Sequence, residues 1–148
     1  MCFNLFSKAK IPSKLPSEMQ EFANSLKKSR SKEVVLREVY NFISNRYRGY
    51  RGLTYLRFFE LFDLNLNRIW SKPGFLHCPK INLLIRILLI KSKMFKEDDI
   101  KLKWSFVWYI SPHQYLQIKI SKNKTINVDL WGKPYGVKFG DYCHGFNS

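Results

Sequence analysis

The chain lacks what it would need to cross a bilayer, to lock itself with disulfides or to persist as a disordered tail. Its longest apolar stretch, residues 81–90, is broken by Asn82 and Arg86. A membrane-spanning helix needs roughly 20 apolar residues, so no span is expected. Three cysteines, Cys2, Cys78 and Cys143, form neither an even framework nor a C-x-x-C pair. Free thiols in a reducing, cytoplasmic compartment are the expectation. The first residues are too soon polar to read as a signal peptide. No repeat or low-complexity block is present, which sets solenoids and linkers aside. Acidic residues are scarce: 11 Asp and Glu stand against 26 Lys and Arg, a net charge of +15. That balance favours contact with nucleic acid, anionic lipid or an acidic substrate. What remains is 148 residues, 45% of them hydrophobic, enough for one domain with its own core.

Patterning divides the chain into a basic N-terminal extension, residues 1–30, and a core domain, residues 31–148. Pro12 and Pro16 punctuate the extension, which holds a short helix from Ser17 to Leu26. Ser31 is placed to cap a helix carrying Val35, Leu36, Val39, Tyr40 and Ile43 at helical spacing and ending near Tyr47. Residues 53–62 carry Leu56, Phe59 and Phe62 on a second helical face, and a short helix follows Asp63 up to Trp70. The run from Pro79 to about Ser92 is apolar on nearly every side, which predicts a buried central helix with Cys78 at its N-terminus. After Asp99 the period changes to two. Leu102, Trp104, Phe106, Trp108 and Ile110 alternate with Lys101, Lys103, Ser105 and Val107, and the Trp104, Phe106, Trp108 stripe reads as the sheet face covering that helix. Two more strands are expected, over 113–120 and 125–131. Helices followed by an antiparallel β-meander make an α+β domain.

A helix that begins with Cys, a strand that begins with His and a next strand that carries Asp is the order a thiol nucleophile needs. Orphan N–H groups and the helix dipole stabilise a thiolate, an imidazole manages its proton, and a carboxylate orients the imidazole. Cys78, His113 and Asp129 are the candidates. His113 and Asp129 share a face of the hairpin only if opposed residues sum to an even number. A three-residue loop of Ser121, Lys122 and Asn123 meets that condition. Asp129 then lies opposite Tyr115 and diagonal to His113, roughly 7 Å away along the backbone.

These residues are also where the chain resembles the transglutaminase-like group of the papain-type cysteine enzymes. The resemblance rests on Gly74-Phe75-Leu76-His77-Cys78 with Leu83-Leu84 and Leu88-Leu89 on the helix, on His113-Gln114-Tyr115-Leu116-Gln117-Ile118, and on Ile126-Asn127-Val128-Asp129 with Trp131. It covers about residues 34–140. It implies a papain-like core and acyl transfer through a thioester to water or an amine: Cys78 is the nucleophile, His113 the general base and acid, and Asp129 the orienting carboxylate. No cofactor is required. The partner is a protein or peptide substrate, acidic if the positive surface steers it, with nucleic acid as a secondary partner. Peptide or isopeptide hydrolysis is the first expectation, then transglutamination or deamidation.

Other readings stand beside this one. The stretch Asn45-Arg46-Tyr47-Arg48-Gly49-Tyr50-Arg51-Gly52 mixes cations with rings, as single-strand binding grooves do. It suits a noncatalytic basic binding module on the same fold. His77-Cys78 and Cys143-His144 could supply four zinc ligands if the C-terminus folds back, although adjacent His-Cys pairs make poor tetrahedra and both histidines are expected at the surface. Cys2 and Cys143 read as ordinary buried or exposed thiols.

Overall fold

The structure is a computed structural model that describes residues 8–146; Cys2 and the first seven residues of the extension lie outside them. The elements run α1 (Ser17–Leu26), α2 (Lys32–Ser44), β1 (Tyr47–Arg48), α3 (Arg51–Leu56), a 3-10 turn (Phe58–Phe62), α4 (Leu66–Ser71), β2 (Gly74–Phe75), α5 (Cys78–Lys91), β3 (Ile100–Val107), β4 (Ser111–Ser121) and β5 (Lys124–Val128). The order is that of an α+β domain. No helix among the described residues is long and apolar enough to cross a membrane.

Helix α5 is the centre of the core, and every residue from Lys80 to Leu89 is buried. Helices α1 and α2 pack on it, and so does β4. Two polar residues inside this apolar helix are tied to other elements. Arg86 donates to the Ala9 carbonyl at 3.1 Å and pairs with Glu97 at 3.2 Å. Asn82 Nδ2 donates to the Gln114 carbonyl at 3.0 Å and to Gln114 Oε1 at 3.2 Å. Residues 17–26, assigned in sequence to the basic extension, place Met19, Ala23 and Leu26 in the core. Each such side chain stabilises the fold by roughly 1.5–3 kcal/mol for full burial of a Leu or Met.

Strands β3, β4 and β5 form an antiparallel sheet in that order. In the β4–β5 hairpin Leu116 faces Val128 and Ile118 faces Ile126. The loop differs from expectation: Ser121 pairs with Lys124 across a two-residue turn, and the register shifts between Lys119 and Ser121. Strand β5 stops at Val128 rather than reaching Trp131.

Two apolar patterns misled the sequence reading. Residues 53–62 do not make one buried helix. They divide between α3 and the 3-10 turn, with Leu56 79% and Phe59 74% exposed and Phe62 exposed as well. Nor does the whole stripe from Leu102 to Ile110 cover α5, since Leu102 packs against the core but the far end runs out into solvent. Strand β3 ends at Val107, and Phe106, Trp108 and Ile110 face solvent. The chain turns at Trp108 and Tyr109 with φ of 52° and 60°, a left-handed conformation that sequence normally announces with Gly or Asn. The C-terminal segment supports the turn, with Gly145 N donating to the Phe106 carbonyl at 2.9 Å.

Strands β1 and β2, unforeseen in sequence, form a two-residue parallel pair, Tyr47 with Gly74 and Arg48 with Phe75. It fixes the approach to α5. Gly74 has φ of +110°, which a side chain would resist. The Leu76 N–H donates to the Arg48 carbonyl at 3.2 Å, two residues before Cys78.

Candidate active site

Helix α5 starts with His77 as N-cap, Cys78 as its first residue and Pro79 second. The Cys78 N–H therefore has no partner within the helix, and Pro79 has no N–H to satisfy. His77 is buried rather than exposed. Its Nε2 donates to the Arg57 carbonyl at 2.8 Å, its side chain makes no capping bond to the helix, and burial pulls its pKa below the usual imidazole value. One helical turn beyond Cys78, Asn82 grips Gln114, the residue after His113. That polar clamp ties the Cys78 end of α5 to the strand that carries the imidazole.

His113 and Asp129 meet. His113 Nε2 donates to Asp129 Oδ2 at 2.7 Å, with both side chains almost fully buried. The carboxylate accepts two further hydrogen bonds, from Gly132 N to Oδ1 at 3.2 Å and from Cys143 N to Oδ2 at 2.7 Å. Three N–H donors thus hold it in place. Trp131 lies over the imidazole, with ring centroids 5.1 Å apart. Gly132 is obligatory here for space: a Cβ would lie 2.4 Å from Cys143 Sγ and 2.8 Å from Val137 Cγ2.

The electrostatics follow from this enclosure. Burial of His113 works against its charge, but its electrostatic interaction with Cys78 and hydrogen bonding to Asp129, Cys143 and Cys78 outweigh it. The imidazole pKa is pushed up to about 12, so the group is an imidazolium at neutral pH. Cys143 behaves differently. Burial pushes its thiol up to about 11, a rise that its hydrogen bond to His113 only partly offsets; it stays protonated.

Cys78 and His113 line one cavity of about 30 Å³, with Arg51, Tyr55, Ser111 and Trp131 also in its wall. Tyr55 Oη donates to Ser111 Oγ at 2.9 Å, and the Arg51 guanidinium stacks on Trp108 at 4.0 Å and on Tyr135 at 4.8 Å. These contacts draw α3 over the cavity.

The other sequence candidates are placed elsewhere. The four-ligand zinc set is not assembled. Among the described residues the group with metal-ligand spacing is His113, Asp129 and Cys143, whose ligand atoms lie within 4.8 Å of one another. The donor set is a poor fit for a resident cation, because Asp129 is committed to three N–H groups and the Cys143 thiol is held neutral. In the basic-aromatic stretch, Arg46 stacks on Trp70 at 4.2 Å and Tyr47 is buried with its hydroxyl on the Ile69 carbonyl. Of its rings and cations, Arg48 and Tyr50 remain exposed. Sequence reasoning missed Asn82, Gly132 and Cys143. Asn82 carried a signal, an amide four residues after the candidate nucleophile in an otherwise apolar helix; Cys143 carried none. No family model, no curated protein and no solved structure matches the chain.

Proposed function

We propose that the protein is a thiol-dependent amide hydrolase or acyltransferase with a papain-like, transglutaminase-like core, acting through Cys78, His113 and Asp129. The observation that carries this reading is the buried His113–Asp129 hydrogen bond beside a cavity that also contains the first residue of α5, Cys78. Because Nε2 is engaged by Asp129, Nδ1 is the imidazole atom left to exchange a proton with the reacting centre. The Cys78 thiolate attacks an amide carbonyl, and the Cys78 N–H, which has no partner within the helix, is a donor for the developing oxyanion. The imidazolium then gives its Nδ1 proton to the leaving amine as the C–N bond breaks and a thioester forms. Neutral His113 next takes a proton from water or from a primary amine, whose attack releases the acyl group and returns the thiolate. The surplus of positive charge favours an acidic protein or peptide as the substrate.

The test has two arms. Iodoacetamide labelling followed by mass spectrometry compares Cys78 with Cys2 and Cys143 in the wild type and in His113→Ala. Incubation of amide-bearing acidic peptides, with and without a primary amine, reads hydrolysis or amine transfer. Selective labelling of Cys78 that depends on His113, with turnover lost in Cys78→Ala, supports the proposal. Labelling at the same rate in both proteins refutes it.

A further inference from the structure

On the other flank of α5 a second cavity, of about 200 Å³, is lined by Arg57, Glu60, Asp63, Arg68, Lys72 and Lys80 together with a few apolar groups. It shares no lining residue with the Cys78 cavity. Lys80 follows Cys78 by two residues, about 200° around the helix, so the two side chains leave α5 in opposite directions.

Lys80 is the unusual member. It is 4% exposed, yet it makes no ion pair within 4 Å among the described residues, and its side chain opens on the cavity. The stem is enclosed by the core and the unpaired ammonium meets solvent only through the cavity, and its place in the first turn of α5 sets it against the helix dipole. Burial lowers its pKa, and Asp63 and Glu60 pull in the opposite direction without pairing with it. Both carboxylates are committed elsewhere. Glu60 Oε1 receives Arg57 Nε at 2.9 Å and Nη2 at 2.7 Å. Asp63 Oδ2 receives Arg68 Nη1 at 2.7 Å, and Oδ1 receives Asn65 N at 3.0 Å. Four cations face two carboxylates, which leaves a surplus of two positive charges on Lys72 and Lys80.

We infer that this cavity binds a phosphate group, with the Lys80 ammonium as its innermost contact and Lys72 as its second cation. A phosphate monoester carries about −1.5 to −2 charges at pH 7 and three acceptor oxygens, which matches the surplus and supplies Lys80 with the partner it lacks. The group arrives either as inorganic phosphate or as the terminus of a small phosphate ester. The site does not depend on the proposed acyl-transfer chemistry.

The experiment is an amide-resolved NMR titration of the full chain with sodium phosphate, at constant ionic strength set by chloride. Saturable shifts centred on residues 75–80 are expected. Lys80→Met, which keeps the unbranched stem and removes the ammonium, should weaken binding about tenfold or more, the loss of one charge-assisted hydrogen bond. It should also melt no lower than the wild type. Lys72→Ala, at an exposed position, should weaken binding by a smaller factor and keeps the test decisive if Lys80→Met fails to fold. Lys101→Met, on the exposed side of β3, should bind as the wild type does. Tighter binding of phenyl phosphate than of inorganic phosphate identifies the ligand as an ester, and equal binding identifies free phosphate. No saturable shift at millimolar phosphate, or equal affinity in Lys80→Met and the wild type, overturns the inference.

Discussion

Asp129→Asn isolates the carboxylate that organises the candidate site. Asp129 accepts from His113 Nε2, Cys143 N and Gly132 N, and all three donors are N–H groups. An asparagine offers one acceptor oxygen and one amide that is itself a donor. The best placement puts the oxygen at Oδ2 and keeps His113 and Cys143, which turns the amide toward the Gly132 N–H. One buried donor is then orphaned, at about 1–3 kcal/mol. The two remaining bonds lose the charge that makes such bonds roughly twice as strong as neutral ones. Together these cost about 3–5 kcal/mol, the range seen when one partner of a buried pair is removed. Total stabilities are about 5–15 kcal/mol, so urea unfolding at pH 7 should show a much lower midpoint. With a slope of about 1–3 kcal/mol per molar urea, the shift is on the order of 2 M. Asp98→Asn, at an exposed position, should leave the midpoint in place. A change below about 1 kcal/mol in Asp129→Asn would mean that the carboxylate does not hold the imidazole as described, and the three hydrogen bonds would lose their assigned weight.

His113→Gln tests the charge of the imidazole. The folded-state pKa is raised to about 12 from an ordinary 6.5, so the native state binds the extra proton and stability falls as pH rises. The advantage of wild type over His113→Gln should be full below about pH 6.5 and shrink steadily toward pH 10; urea titrations giving equal differences at pH 6 and pH 9.5 would contradict it. Gly132→Ala has an ordinary backbone, with φ of −78°, so its penalty is steric, about 1–3 kcal/mol. Cys143→Ala in the same chain should recover part of it, and a double variant as unstable as the sum of the singles would place the clash elsewhere. Asn82→Leu should destabilise by about 1–3 kcal/mol and slow labelling of Cys78, one helical turn away. Unchanged labelling would show that the clamp to Gln114 plays no part in placing the helix start.

The parts of the fold that were legible in sequence are those where the pattern admits one solution. A run that is apolar on every side, as in α5, has no solvent face to offer and must be central. Ser17–Leu26 falls where the prolines put it, and Ser31 sits at the start of α2 as expected, although its side chain makes no capping bond. The failures have a common cause. An apolar face states a preference for burial but not the presence of a surface to receive it, so Leu56, Phe59 and Phe62 read as core and lie in solvent. The β3–β4 turn was invisible because Trp108 and Tyr109 adopt left-handed conformations without the residues that favour them. The pairing of Val107 with Gly145 and the bond from Gly145 N to Phe106 impose the turn from outside the hairpin, where no local rule looks.

The meeting of His113 and Asp129 was legible for a different reason, and the structure reaches it by another route. Only the parity of the β4–β5 register had to be right for the two side chains to share a face. A three-residue loop would supply that parity. The chain uses a two-residue turn instead, in which Ser121 pairs with Lys124, an odd sum. Had that register continued, Asp129 would fall opposite Leu116 and turn to the face away from His113. The irregularity between Lys119 and Ser121 absorbs one residue and restores the even sum, so that Leu116 meets Val128 and Asp129 follows at the level of Tyr115. A β-bulge of this kind re-aims a strand's side chains with a single extra residue. Here it keeps Val128 in the core and turns Asp129 toward the imidazole at once, so packing and the candidate chemistry demand the same irregularity.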